Sequence, residues 1–287
     1  MPDPDVFRSG FSGASLPAVT QWCAERVEDA KTILVPFAGS GRDIAAMAGK
    51  DRTIVSFDTQ FYSRAIVEGI FAAETAETNV DKIHYTKGYF YENPMKNMDE
   101  RCAGFIDWVG AHGTLYDKAC MGSAVVRSTL MGRMTQWYAN VEQLYLRFLR
   151  NRDSNVKYLN LPGKFVHHEG SFFDIQPPFG PFDLMQVDPP KVIVGSDIYS
   201  ANYNGMNRAL GGENDLPKWG WREVLPRFRN LMEVDVQRTL FFYVSGVRPD
   251  YPEVFKLLEQ YGEIKEEDTF THQGRTDYAV HLRRKDV

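Results

Sequence analysis

The chain is poor in cysteine, with only Cys23, Cys102 and Cys120 among 287 residues. Their spacing matches no metal-ligand pattern, and an odd count closes no disulfide framework. Reduced thiols in a cytosolic compartment, and no metal site, are therefore expected. Long apolar runs are also missing. The longest are strand-sized, well short of the roughly 20 residues that cross a bilayer. Met1 to Ser9 has no apolar run of the kind a signal peptide needs. A cytoplasmic protein with no membrane partner is expected. Excess positive charge is absent too: the net charge is −5, which taken whole argues against a dedicated nucleic-acid binder. There is no internal repeat or low-complexity tract, and the length suits one domain or one domain with a sizeable insertion.

Charge is nevertheless unevenly spread. Between Lys118 and Lys164 stand Lys118, Arg127, Arg133, Arg147, Arg150, Arg152, Lys157 and Lys164, against only Glu142 and Asp153. A basic block in an acidic protein fits a polyanion-binding face, with a solvated helix surface as the alternative.

Five short β-branched or aromatic runs read as strands buried on both faces: Thr32–Phe37, Thr53–Phe57, Lys164–His168, Phe182–Val187 and Arg238–Val244. Helical stretches lie between them, as at Ser15–Asp29, Arg42–Gly49 and Trp221–Val234. The alternation predicts an α/β, doubly wound, mainly parallel sheet. Ile264–Thr271 and Thr276–Leu282, around a turn at Gln273-Gly274-Arg275, predict a closing antiparallel hairpin. The spacing sets residues 60–161 apart as a mainly helical, basic insertion, with a helix at Trp137–Leu149, in a domain made of 1–59 and 162–287. A second long connection follows Asp188 and carries Tyr199, Asn202, Tyr203, Asn204 and the Gly211-Gly212 pair. Both excursions leave the carboxyl ends of strands, where open α/β sheets bind ligands.

Two motifs carry chemistry. Phe37-Ala38-Gly39-Ser40-Gly41 follows a strand and precedes a helix, where glycine allows close backbone approach and the helix start offers free N–H donors. Seventeen residues past Gly41 the next strand ends in Asp58, whose carboxylate can accept from the two hydroxyls of a ribose. No G-K-[ST] ending follows the glycines, which disfavours a nucleoside triphosphate. The second motif, Asp188-Pro189-Pro190-Lys191, ends another strand. Its prolines fix φ and aim the carboxylate and carbonyls, an arrangement able to accept both hydrogens of an exocyclic amine. A plain Asp-Pro turn is the alternative. His167 and His168, near the same edge, read as structural.

The order Gly13-Ala14-Ser15-Leu16, Phe37 to Gly41, Asp58, a long basic insert, Gly170 to Asp174, then Asp188 to Lys191 resembles the Dam-type adenine-N6 DNA methyltransferases of the alpha arrangement, over roughly residues 10 to 245. The resemblance implies a class I methyltransferase fold and S-adenosylmethionine as cofactor. It places Gly13, Ser15, Phe37, Ala38, Gly39, Ser40 and Gly41 around the cofactor, Asp58 on its ribose, and Phe173 and Asp174 beside its adenine. Asp188, with Pro189, Pro190 and Lys191, would hold the target amino group of a base flipped out of double-stranded DNA. The insert would contact DNA through Arg127, Arg133, Arg147, Arg150 and Arg152, with Trp137, Tyr138, Tyr145 and Phe148 among them, or else as core aromatics. Tyr199 and Tyr203 would face the acceptor.

Two departures stand out. Lys191 occupies the place of the aromatic that stacks on the flipped base in that family. Gly13-Ala14-Ser15 lacks its lysine, for which Arg42 is a candidate substitute. These leave open a different acceptor (RNA or a modified base), or a catalytically silent DNA-binding or regulatory protein on the same scaffold. Recognition sequence and oligomeric state are not encoded in any motif.

Overall fold

The β-branched runs pair side by side at the centre of the molecule. The computed structural model describes residues 17–94, 98–131, 140–174, 180–189, 198–213, 227, 229–245, 251–272 and 275–284. Strands β1 (Thr32–Val35), β2 (Thr53–Asp58), β3 (Lys164–Glu169), β4 (Phe182–Val187) and β5 (Val236–Ser245) are joined by the hairpin β6 (Gly262–His272) and β7 (Arg275–Arg284). The sheet order is β3-β2-β1-β4-β5-β7-β6. The first five strands are parallel, and β7 runs antiparallel to both β5 and β6. This is the doubly wound, Rossmann-like arrangement of class I methyltransferase type. β1 stops at Val35, two residues before the expected end, because Pro36 has no N–H for the ladder.

The helices are α1 (Pro17–Glu25), α2 (Arg42–Met47), α3 (Phe61–Ile66, continuing as a π-helical turn over Val67–Phe71), α4 (Tyr89–Glu92), α5 (Glu100–His112), α6 (Leu115–Met131), α7 (Val141–Asn155), α8 (Ile198–Leu210) and α9 (Tyr251–Tyr261). Several bounds differ from the sequence reading for local reasons. α1 ends at Glu25 rather than Asp29, and Glu28 takes a left-handed φ of 43° that no helix continues through. α2 ends at Met47 because Ala48 is extended. α7 begins at Val141, where the Asn140 side chain caps the Glu142 N–H, and runs on to Asn155. Trp137 and Tyr138 lie outside the described residues, as does half of the expected helix at Trp221–Val234, of which residues 227 and 229–232 are helical. The connection after Asp188 contains a full helix, α8, and α9 was not legible as a helix.

Side chains alternate across the sheet. Ile33, Val35, Ile54 and Leu184 face one layer, together with Phe61, Phe71, Phe90, Phe105, Phe148 and Tyr158 from residues 60–161. Leu34, Val55, Phe57, Met185 and Val187 face the other, against Phe172, Leu231, Met232, Leu257 and Leu258. Two buried carboxylates tie the long irregular stretch after α3 to the helices that follow. Asp117 accepts from the Asn79 and Thr114 N–H groups, and Asp107 from those of Phe90 and Tyr91. Such bonds satisfy backbone donors that would be costly to bury unpaired.

α5 and α8 meet at Gly110. A Cβ there would lie 1.6 Å from the Ala209 carbonyl oxygen, which is backbone and cannot swing aside. Gly110→Ala is therefore expected to destabilise the protein by about 1–3 kcal/mol, seen as a lower urea midpoint at unchanged slope. A wild-type midpoint would show that the two helices do not pack this closely.

Candidate active site

The turn after β1 is built by its glycines. The Gly41 N–H bonds the Ala38 carbonyl at 2.8 Å and the Ala38 N–H bonds Phe57 O at 2.9 Å, locking the turn to the end of β2. Gly39 and Gly41 have φ of 51° and 70°, values that L side chains avoid. The two glycines serve different ends. A Cβ on Gly41 would strike the Phe71 ring at 2.8 Å, so this glycine is needed for packing. Among the described residues a Cβ on Gly39 would meet nothing within 4 Å, so its backbone borders space that a ligand can enter.

Asp58 is bonded directly to that turn. Its carboxylate accepts the Gly39 N–H at 2.7 Å and the Gln60 N–H at 2.9 Å. Burial pushes its pKa up, against the Gln60 and Gly39 N–H bonds that favour the charged form. A carboxylate has about four acceptor positions, and these two N–H bonds leave capacity for the two hydroxyls of a ribose. Ser63, buried on α3, completes the unit by donating to Gly39 O at 2.6 Å.

The other side of the turn is held by a carboxylate the sequence reading passed over. Asp43, in the first turn of α2, accepts from the Thr20 hydroxyl of α1 at 2.8 Å and from the Gln186 amide of β4 at 2.9 Å. Gln186 lies in β4, two residues before Asp188. Asp188 is half-buried beyond the end of β4. Burial first, then the charges of Asp43 and Asp188, raise the Cys23 thiol well above its usual value. All three thiols are buried and free.

Phe37 and Phe173 approach with ring centroids 6.1 Å apart, and Arg227 lies over the Phe173 ring at 5.5 Å. Asp174 is exposed, its N–H bonded to Ser171 O. The edge therefore brings together Phe37, Ala38, Gly39, Ser40, Gly41, Asp58, Phe173, Asp188 and Pro189. Gly13, Ser15, Pro190, Lys191 and Arg133 lie outside the described residues, and the side chains of Arg127, Tyr199 and Tyr203 are likewise not described. His167 bonds the Ser56 hydroxyl at 2.9 Å, and His168 stacks on Phe57 at 4.8 Å. Burial, with His168 and Arg64 nearby, holds the His167 pKa down to about 3, so it stays neutral.

The described cations of the basic block do not form one outward face. Arg152 reaches back to Val80 O at 3.4 Å, and one Arg147 nitrogen is buried. Lys118 points at the Phe61 ring, whereas Arg150 is exposed. Long stems on amphipathic helices bury their methylenes, which turns some heads inward.

If Asp58 receives ribose hydroxyls, binding requires its ionised form. Its pKa is raised in the free protein, so affinity is full above that value and falls as pH drops through it. Asp58→Asn is expected to weaken S-adenosylhomocysteine binding by about 1.5–3 kcal/mol and to remove this acid-side fall, both measurable by calorimetry across pH. An unchanged affinity and pH profile would remove Asp58 from the site.

No protein-family profile matches the chain, and no curated protein matches it. Among solved structures, TrmN from Thermus thermophilus is similar over 97% of this chain at 9% identity, with a TM-score of 0.41. This chain spans 52% of that protein, about half its length. Magnesium protoporphyrin IX methyltransferase (ChlM) from Synechocystis PCC 6803, determined with bound SAM, is similar over 98% of this chain and 90% of its own, at 7% identity and a TM-score of 0.39. At such values the chemistry of the site rests on this chain's own residues.

Proposed function

We infer that the protein transfers a methyl group from S-adenosylmethionine to the exocyclic amine of a nucleobase, with adenine in DNA as the acceptor. One observation carries this reading. β1 lies between β2 and β4 in the sheet, so the glycine turn stands between Asp58 and Asp188 on a single carboxyl-terminal edge. A ribose-binding acid, an open backbone cradle and an amine-binding acid then follow one another across three adjacent strands, at the position where doubly wound sheets bind ligands.

The residues present fit the cofactor. Gly39 leaves room where a Cβ would project, Asp58 offers acceptors to a ribose, and Phe37 and Phe173 supply aromatic surface near the turn. The cofactor supplies an activated methyl group on a sulfonium. Asp188 and the Pro189 carbonyl accept the two hydrogens of the acceptor amine, which turns its lone pair toward the methyl carbon. Held by residues 37–41, Asp58 and Phe173, the cofactor would supply its methyl group along that lone pair and would leave as a neutral thioether, with one amine proton released to bulk solvent. Most of the rate enhancement is then alignment in a site cleared of water. The Thr20–Asp43–Gln186 bonds support it by fixing α1, α2 and β4 relative to one another.

Purified protein with radiolabelled S-adenosylmethionine and unmethylated DNA is expected to give label in adenine. Asp188→Ala should lower incorporation by at least a hundredfold, on the order of the 3 kcal/mol typical of a lost positioning group at a reacting centre. Label in RNA alone would move the acceptor. Cofactor binding with no incorporation into either would indicate a silent scaffold.

A further inference from the structure

Lys118, on α6, is a half-buried cation of the basic block. Its ammonium lies 5.2 Å from the centre of the Phe61 ring, and the Arg64 guanidinium lies 5.8 Å from the same centre. Arg64 is itself paired with Glu68 at 3.0 Å and with Glu169 at 3.4 Å. Among the described residues the Lys118 ammonium has no carboxylate and no hydrogen-bond acceptor. One positive charge is thus half removed from water and uncompensated. Burial and the Arg64 charge pull its pKa below the usual lysine value, consistent with that setting.

Lys118 is itself only half-buried and has an exposed neighbour. Gly211, exposed and with φ of 117°, stands beside it, and a Cβ there would be 3.5 Å from the ammonium nitrogen. Phe61 is held in place by its N–H bond to the Asn207 side chain of α8 at 2.7 Å. It follows Gln60, whose N–H bonds Asp58. The ammonium therefore sits over the chain segment that leads out of the ribose-binding end of the site, on the side bounded by the end of α8.

We propose that Lys118 is a phosphate contact for the nucleic-acid acceptor, on a rim formed with Phe61, Arg64 and Gly211. The proposal rests on the nucleic-acid reading above. A partner phosphate would supply the missing counter-charge to a strongly hydrated point charge, the role in which lysine serves phosphate recognition. Cation–π attraction to Phe61 holds the head in place without neutralising it.

Binding of a fluorescent unmethylated DNA duplex and of the matching RNA, measured against salt concentration, tests this in the wild type, Lys118→Met and Lys118→Arg. Methionine keeps an apolar stem over Phe61 and removes the charge. Lys118→Met is expected to bind severalfold more weakly and to reduce the slope of log K against log salt by about 0.9. Lys118→Arg should keep most of both, and S-adenosylhomocysteine affinity should be the same in all three proteins. Wild-type affinity and slope in Lys118→Met would overturn the phosphate contact while leaving the acceptor reading intact. A lowered melting temperature with an unchanged slope would do the same, since it marks a packing role. If the wild type binds neither nucleic acid, the acceptor reading falls and this contact falls with it.

Discussion

The bond from the Gly39 N–H to the Asp58 carboxylate, at 2.7 Å, is the contact around which the functional edge is organised. Two parallel strands end side by side, and the chain leaving the first must turn sharply without covering the second. Positive φ at Gly39 and Gly41 makes the turn, and the carboxylate fixes its height. Ser63 then fastens the turn to α3 through the Gly39 carbonyl. A charged group placed here has a cost, visible in the raised pKa of Asp58. Several backbone donors offset much of it.

This constraint extends through the packing on either side. Gly41 admits the Phe71 ring, so the segment that follows β2 is seated against the turn itself. On the opposite flank Asp43 joins α1 to β4, which couples the turn to the strand that presents Asp188. The helices of residues 60–161 add their aromatic side chains to the same apolar layer as Ile33 and Ile54. A shift in those helices is therefore felt at the turn, because close-packed interiors transmit displacement.

Much of this was legible from residue order. The strands announce themselves through runs such as Thr32-Ile33-Leu34-Val35, and Asp58 through its distance from the glycines. The partners were not legible, for a physical reason. Ser63, Asp43 and Gln186 act across tertiary contacts and belong to no local pattern, so nothing near them in sequence distinguishes them from ordinary polar residues. The basic block shows the complementary limit. Counting charge located it, but the direction of a lysine or arginine head depends on where its stem finds apolar surface: Arg152 bends back to Val80 O, and Lys118 lies over the Phe61 ring. The helix after Asp188 was read only as a connection, because Asn202, Asn204 and the following glycines mask its periodicity. α8 is stabilised instead by packing against α4 and α5.

The central claim is that ligand binding belongs to the carboxyl edge of β1 and β2. A polar groove also opens at the amino edge, lined by Glu28, Asp183, Asp235 and Arg238 among others, but Arg238 is already paired with Glu28 and Asp29 there. Amide hydrogen exchange with and without S-adenosylmethionine separates the two edges. The account predicts slowed exchange at residues 37–41 and 57–63, with no change at 28–32 and 235–238. Protection confined to the amino edge, or a bound cofactor that leaves 37–41 unprotected, would contradict it.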